Sequence, residues 1–179
     1  MTSVAYRNGV LAVDSLASNG GFKFEPPLEK AAVIELGSGF FAVVAGSGKA
    51  ATLRRLQRWA ANELSAWVLA GADLDVLPEI EKEDESCVFI SIPGRPLIVV
   101  LADGADELLA PFSATGEFHF ACGAMAAGCS APMAVALCAL YSDGCGFPVH
   151  VYDHKKGHVA TLHSLHAVRE WDAANPTGG

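Results

Sequence analysis

Apolar residues recur along this chain in short runs punctuated by glycine, proline and asparagine, and the period of the runs changes from strand-like to helical and back. Val4–Tyr6 and Val10–Val13 flank Asn8-Gly9, the signal for a tight β-hairpin, because both turn residues tolerate positive φ. A Gly- and Pro-containing loop follows at Ser18–Pro27. Lys30 then opens the apolar run Ala31–Leu36, and Gly37-Ser38-Gly39 turns the chain into Phe40–Ala45. A helical period takes over next. Leu53, Leu56, Ala60, Leu64, Trp67 and Val68 recur on one face, with Arg54, Arg55, Arg58, Asn62 and Glu63 largely off it. Ser47 is the expected N-cap and Gly71 the expected stop. Asp73–Glu85 reads as a charged connector. Strands return at Val88–Ile92 and Leu97–Ala102, joined around Pro93-Gly94-Arg95, with a short one at Glu107–Leu109.

Two helices of small residues come next, roughly Phe120–Ala127 and Ala131–Ser142. They break at Gly128-Cys129-Ser130, with Ser130 as N-cap and Pro132 in the first turn. Val149–Tyr152 and Val159–His163 form a last hairpin around Lys155-Lys156-Gly157. Leu165–Trp171 predicts a terminal helical turn. The order is strands, helix, strands, two helices, strands. It predicts an α+β chain in which two antiparallel sheets pack face to face between outer helix layers, a four-layer αββα sandwich. Residues 1–172 form a single domain on this reading, and 173–179 a frayed tail.

Composition narrows the function classes. The chain has 179 residues, enough for one domain with a substantial core. Its apolar fraction of 51% argues against disorder and suggests more buried surface than a monomer needs. A net charge of −8 argues against a nucleic-acid or anionic-membrane surface. Phe118–Tyr141 has no Asp, Glu, Lys or Arg and is long enough to cross a bilayer, yet it is mostly small residues with Pro132 inside, so it reads as two buried helices rather than a membrane span. The start lacks the basic-then-apolar pattern of a secretory signal, so a cytoplasmic location is expected. The cysteines (Cys87, Cys122, Cys129, Cys138, Cys145) then read as buried reduced thiols.

The chemistry-bearing stretch is the first thirty residues. Removal of Met1 is expected because the next residue is small, and it would leave Thr2 with a hydroxyl and a free α-amine on one residue. An α-amine has a pKa of about 8, roughly two units below lysine, so it can take a proton from its own hydroxyl. Threonine with its own amine is an activated-nucleophile pairing. The hairpin returns an acid and a hydroxyl to this end. A two-residue turn pairs Thr2 with Ser15; a three-residue turn pairs it with Asp14. The same spacing also fits an ordinary hairpin with a polar end. Other constellations are weaker. His150, His154, His158, His163 and His166 with Asp153 meet no standard metal-ligand spacing. Cys122 and Cys129 lie in a packing context rather than a nucleophile's. Gly46-Ser47-Gly48-Lys49 lacks the spacing of a phosphate loop.

Thr2-Ser3-Val4-Ala5, Ala12-Val13-Asp14-Ser15, Lys30 before a strand, Val44-Ala45-Gly46-Ser47 and Gly123-Ala124-Met125-Ala126-Ala127-Gly128 occur in an order that resembles the proteasome β-subunit superfamily of N-terminal nucleophile (Ntn) hydrolases. The look is that of the simpler bacterial and phage-type members, such as the ATP-dependent protease HslV. The resemblance implies Thr2 as nucleophile and its amine as base. It implies Lys30 as the cation easing loss of the Thr2 proton, Asp14 as its holder, and the Gly46 N–H as an oxyanion donor. It also implies peptide-bond cleavage in a ring of identical subunits, unfolded protein or peptide as substrate, an ATP-dependent unfoldase as a candidate partner, and no cofactor or metal. The family's Gly-Ser-Gly before the small-residue helix is replaced by Ala114-Thr115-Gly116-Glu117-Phe118-His119. Its later Asp-x-x-Ser/Thr-Gly is replaced by Ser142-Asp143-Gly144-Cys145-Gly146, with the acid one position late. Ser15, Thr115 and Asp143 are therefore the candidates for supporting roles. The departures also leave open a silent ring-forming homologue or an amidase for small substrates.

Overall fold

The computed structural model describes residues 2–16, 18–19, 22–23, 30–37 and 39–176. Met1, much of the loop expected at Ser18–Pro27 and the last three residues lie outside them. The first sheet takes β1 (Ser3–Arg7), β2 (Val10–Asp14), β10 (Phe112–Gly116), β11 (Val149–Asp153) and β12 (Gly157–Leu162) in the order β10-β1-β2-β11-β12. The second takes β5 (Ala31–Glu35), β6 (Phe41–Ser47), β7 (Cys87–Ser91), β8 (Leu97–Leu101) and β9 (Gly104–Leu108) in sequence order. Both are antiparallel. A two-residue pair, β3 (Ser18–Asn19) and β4 (Phe22–Lys23), stands apart.

The alternation of the strands explains the layering. Val4, Tyr6, Leu11 and Val13 turn inward with Val43, Ala45 and Phe89 of the facing sheet. Ala5, Ala12 and Ala114 turn outward under α3 (Phe118–Ala126), α4 (Ala131–Tyr141) and α5 (Leu165–Ala174), where small side chains let the helices come close. On the other side, Leu53 and Leu56 of α1 (Ala50–Trp59), Leu64 of the π-helical turn at Ala60–Leu64 and Trp67 of α2 (Ser65–Ala70) cover Val44, Val88, Ile90 and Ile98. The result is the αββα sandwich the pattern predicts.

Local signals act where expected, with exceptions. Asn8 (φ 50) and Gly9 (φ 84) form a two-residue turn and Arg7 pairs with Val10, which settles the register left open by the sequence. Ser130 caps α4 through Met133 N–H at 3.1 Å, and Gly71 ends α2 at φ 62. Arg7 donates to the Met125 and Cys129 carbonyls at 2.7 and 2.9 Å and so fixes the α3–α4 turn. Lys49, not Ser47, stands at the N-cap of α1, because Ser47 still belongs to β6. Strand β10 has no counterpart in the sequence pattern. Ala173 and Ala174, expected in a frayed tail, lie in α5. Among the described residues no helix is long and apolar enough to cross a membrane.

His154 joins the sheets at the hairpin end. Its Nδ1 lies 3.1 Å from Ser91 Oγ, its N–H donates to the Gly9 carbonyl and its carbonyl accepts from Phe41 N–H. Burial lowers its pKa from the ordinary 6.5, so the fold favours neutral imidazole. Its contribution is complete above 6.5 and is lost as pH falls through that value toward the lower folded one. Urea denaturation at a series of pH values is expected to show this acid loss in the native chain and not in His154→Gln.

Candidate active site

Asp14 closes β2 with its side chain fully buried. Its Oδ1 accepts from Ser3 N–H at 2.8 Å and from Lys30 Nζ at 2.9 Å. Its Oδ2 accepts from Leu16 N–H at 3.0 Å and Gly146 N–H at 3.2 Å. Lys30 Nζ also donates to the Leu16 carbonyl. Burial pushes Asp14 above the ordinary carboxylate value; the Lys30 charge and the N–H donors oppose that push without cancelling it. The pair is therefore dry and charged, and it is bonded to Ser3, the residue that follows Thr2.

Strand registers bring the remaining candidates near. Ala31 pairs with Ala45, so Lys30 comes level with Gly46 across β5 and β6. A Cβ on Gly46 would lie 2.5 Å from the Cys87 carbonyl oxygen and 2.9 Å from Leu53 and Val88 methyls, so only glycine fits there. Ser3 pairs with Gly116, whose φ is +80. A Cβ there would sit 1.5 Å from the Thr2 carbonyl oxygen, so the backbones touch. Thr2 itself is half-buried. Ser3 is buried on the helix side with Ala5, and strand alternation turns Thr2 the other way, with Val4.

The supporting candidates separate. Ser15 is buried beside Gly146, its N–H donating to that carbonyl at 3.2 Å, and its hydroxyl makes no hydrogen bond to a described residue. Thr115 binds Ser47 Oγ at 2.6 Å and so ties the two sheets together. Asp143 is exposed. Its neighbour Ser142 turns inward instead and donates to Glu117 Oε1 at 2.7 Å. Sequence reasoning missed Glu117; the pairing of Ser3 with Gly116 is what exposes it.

The competing constellations resolve into ordinary contacts. The Cys145 thiol is pushed up to about 12, first by burial and then by Asp14. Burial also raises Cys87, Cys122 and Cys138, so these thiols stay protonated and poorly nucleophilic at neutral pH. His150 and His158 share the Thr161 hydroxyl at 3.2 and 3.1 Å, and His166 pairs with Glu170 at 3.3 Å.

No protein-family model matches this sequence, and no curated protein does. Solved structures do match the fold. BPH of Thiobacillus denitrificans in complex with epoxomicin aligns at TM-score 0.57 and 24% identity, over 86% of this chain and 98% of that one. The Anbu Gly-1 mutant from Hyphomicrobium sp. strain MC1 aligns at TM-score 0.69 and 12% identity, over 97% of this chain and 94% of that one. The fold is the Ntn-hydrolase sandwich. At these identities the likeness speaks for architecture, and the chemistry must be argued from the residues of this chain.

Proposed function

We propose that this chain is a threonine-type Ntn hydrolase that cleaves peptide bonds through an acyl-enzyme on Thr2 once Met1 is removed. The observation that carries the reading is the buried Lys30–Asp14 pair at 2.9 Å, locked to the chain start by the Ser3 N–H, on a fold shared with an epoxomicin-bound protein. Thr2 Oγ attacks the carbonyl carbon while its amine takes the proton, eased by the Lys30 charge. The amine returns that proton to the leaving nitrogen. Water, activated by the same amine, then breaks the acyl bond and frees the hydroxyl. The Gly46 N–H is the candidate donor to the oxyanion, a contact worth about 10²–10³ in rate where it forms. Substrate is unfolded protein or peptide, admitted to a ring of identical cytoplasmic subunits with an ATP-dependent unfoldase as candidate partner. The mechanism calls for no cofactor or metal.

An epoxyketone is the fitting probe, because it offers the hydroxyl and the amine one electrophilic carbon each. Intact mass is expected to show one probe mass added to protein beginning at Thr2 and none on Thr2→Ala. Processed native protein that stays unmodified sinks the reading. A catalytically silent ring-forming homologue is the second reading, favoured by the exposure of Asp143 and the engagement of Thr115 with Ser47. A small-substrate amidase using Thr2 is told apart by cleavage of simple amides without cleavage of peptides.

The site works with Asp14 ionised, and burial raises its pKa above 3.8. As pH falls through the raised value, Asp14 takes up a proton and Lys30 loses its anionic partner; above it the pair is intact. Below the limb set by the α-amine, a second and steeper fall in the adduct-formation rate is therefore expected, above the ordinary aspartate range. In Asp14→Asn that second fall is absent, the amine limb remains and the rate is low throughout.

A further inference from the structure

Asp14 secures the chain start from one side and leaves the Thr2 amine without a partner there. Its Oδ1 is taken by Ser3 N–H and Lys30, and its Oδ2 by Leu16 and Gly146 N–H groups. A freed α-ammonium carries three donors, and a group meant to act as a base must keep its nitrogen turned to the hydroxyl it serves. The β1–β10 ladder offers an acceptor. Ser3 pairs with Gly116, the last residue of β10, and Glu117 follows it at the N-cap of α3, where one more step of the same register would set it opposite Thr2. The contact of the Gly116 backbone with the Thr2 carbonyl leaves that step no slack.

The Glu117 carboxylate is held in place. Its Oε1 accepts from Ser142 Oγ at 2.7 Å, and Ser142 Oγ in turn accepts from Gly144 N–H at 3.2 Å. Its charge reaches the same spot as that of Asp14: behind the effect of burial, both carboxylates help raise the Cys138 and Cys145 thiols. Two carboxylates therefore flank the first residues of β1, and one of them is already committed to Lys30.

We propose that Glu117, braced by Ser142, is the positioning residue for the Thr2 α-amine, accepting a hydrogen bond from it and aiming its nitrogen at the Thr2 hydroxyl. The inference rests on Thr2 being the nucleophile. Among the described residues, the other ionisable groups on the elements packed here are Asp14, Lys30, Cys87, Cys138, Cys145 and Asp143. Asp14 and Lys30 neutralise each other, burial keeps the three thiols protonated, and Asp143 is exposed.

The test titrates the α-amine of Met1-processed protein by competitive labelling with a small acylating reagent, and follows epoxyketone adduct formation against pH. A nearby anion favours the ammonium, so Glu117→Gln is expected to move the amine midpoint to lower pH by about half a unit to one unit. The rising limb of adduct formation moves with it, and the plateau falls on the order of 10- to 100-fold as the nitrogen loses its aim. Ser142→Ala keeps the charge and loses the brace, so its midpoint shifts less and its plateau still falls. The same contact ties the first turn of α3 to the end of α4, and a tie alone would leave the amine titration where it was. An unmoved midpoint in Glu117→Gln overturns the assignment. A moved midpoint in a chain that never forms the adduct supports the placement of Glu117 and counts against the hydrolase reading alone.

Discussion

Lys30→Met is expected to cost about 3–5 kcal/mol of folding stability, because it strands the Asp14 carboxylate in a buried site without its cation. Against a total of about 5–15 kcal/mol for an ordinary domain, that is a large share. The carboxylate keeps its three N–H donors and loses the one group that balances its charge. Its pKa rises further, so the variant is expected to regain stability as pH falls, and by more than the native chain does. Adding Asp14→Asn removes the stranded charge and is expected to recover most of the loss in urea denaturation. Adduct formation on Thr2 separates this from chemistry. In both the single and the double variant the rate is expected to fall about 10²-fold or more, because the proposed mechanism loses the positive charge that eases departure of the Thr2 proton. Full reactivity in the refolded double variant would make the pair a structural fixture and remove Lys30 from the mechanism.

The return of Asp14 to the chain start is legible in the amino-acid sequence because its parts are local, whereas its pairing with Lys30 is something only the resemblance implies. Asn8-Gly9 sets the hairpin register, the register returns Asp14 to the chain start, and Lys30 stands at the head of an apolar run. What the sequence hides are contacts between distant elements. Ser47 and Thr115 meet across two sheets, each as a buried hydroxyl, and neither residue type advertises such a partner. Strand β10 is hidden for the same reason: Ser113 and Thr115 are polar yet buried, so the segment reads as loop. Asp143 fits the supporting acid by motif, but the turn after α4 sends it to solvent and turns Ser142 inward. Glu117 reads as an ordinary charged residue at the start of a helix until the pairing of Ser3 with Gly116 shows that it follows the strand residue next to the chain start.

That pairing makes Gly116→Ala the severest small substitution this structure allows. At φ +80 an alanine is strained by about 1–2 kcal/mol before any contact is counted. Its Cβ would then stand 1.5 Å from the Thr2 carbonyl oxygen, a backbone atom that no rotamer change can remove. The strands must part at Ser3–Gly116, while Asp14 still grips the Ser3 N–H. Thr2 is therefore displaced relative to Lys30, and a shift of about 1 Å in a reacting group costs on the order of 10² in rate. The expected result is an adduct rate down by about 10²-fold or more, with a lowered urea midpoint. Gly123→Ala is the control: it lies in α3, a Cβ there meets nothing within 4 Å, and the change favours the helix by about 0.5–1 kcal/mol. If Gly116→Ala reacts as fast as Gly123→Ala, Thr2 does not rest against Gly116 in the working protein, and the reactive end of the chain lies elsewhere.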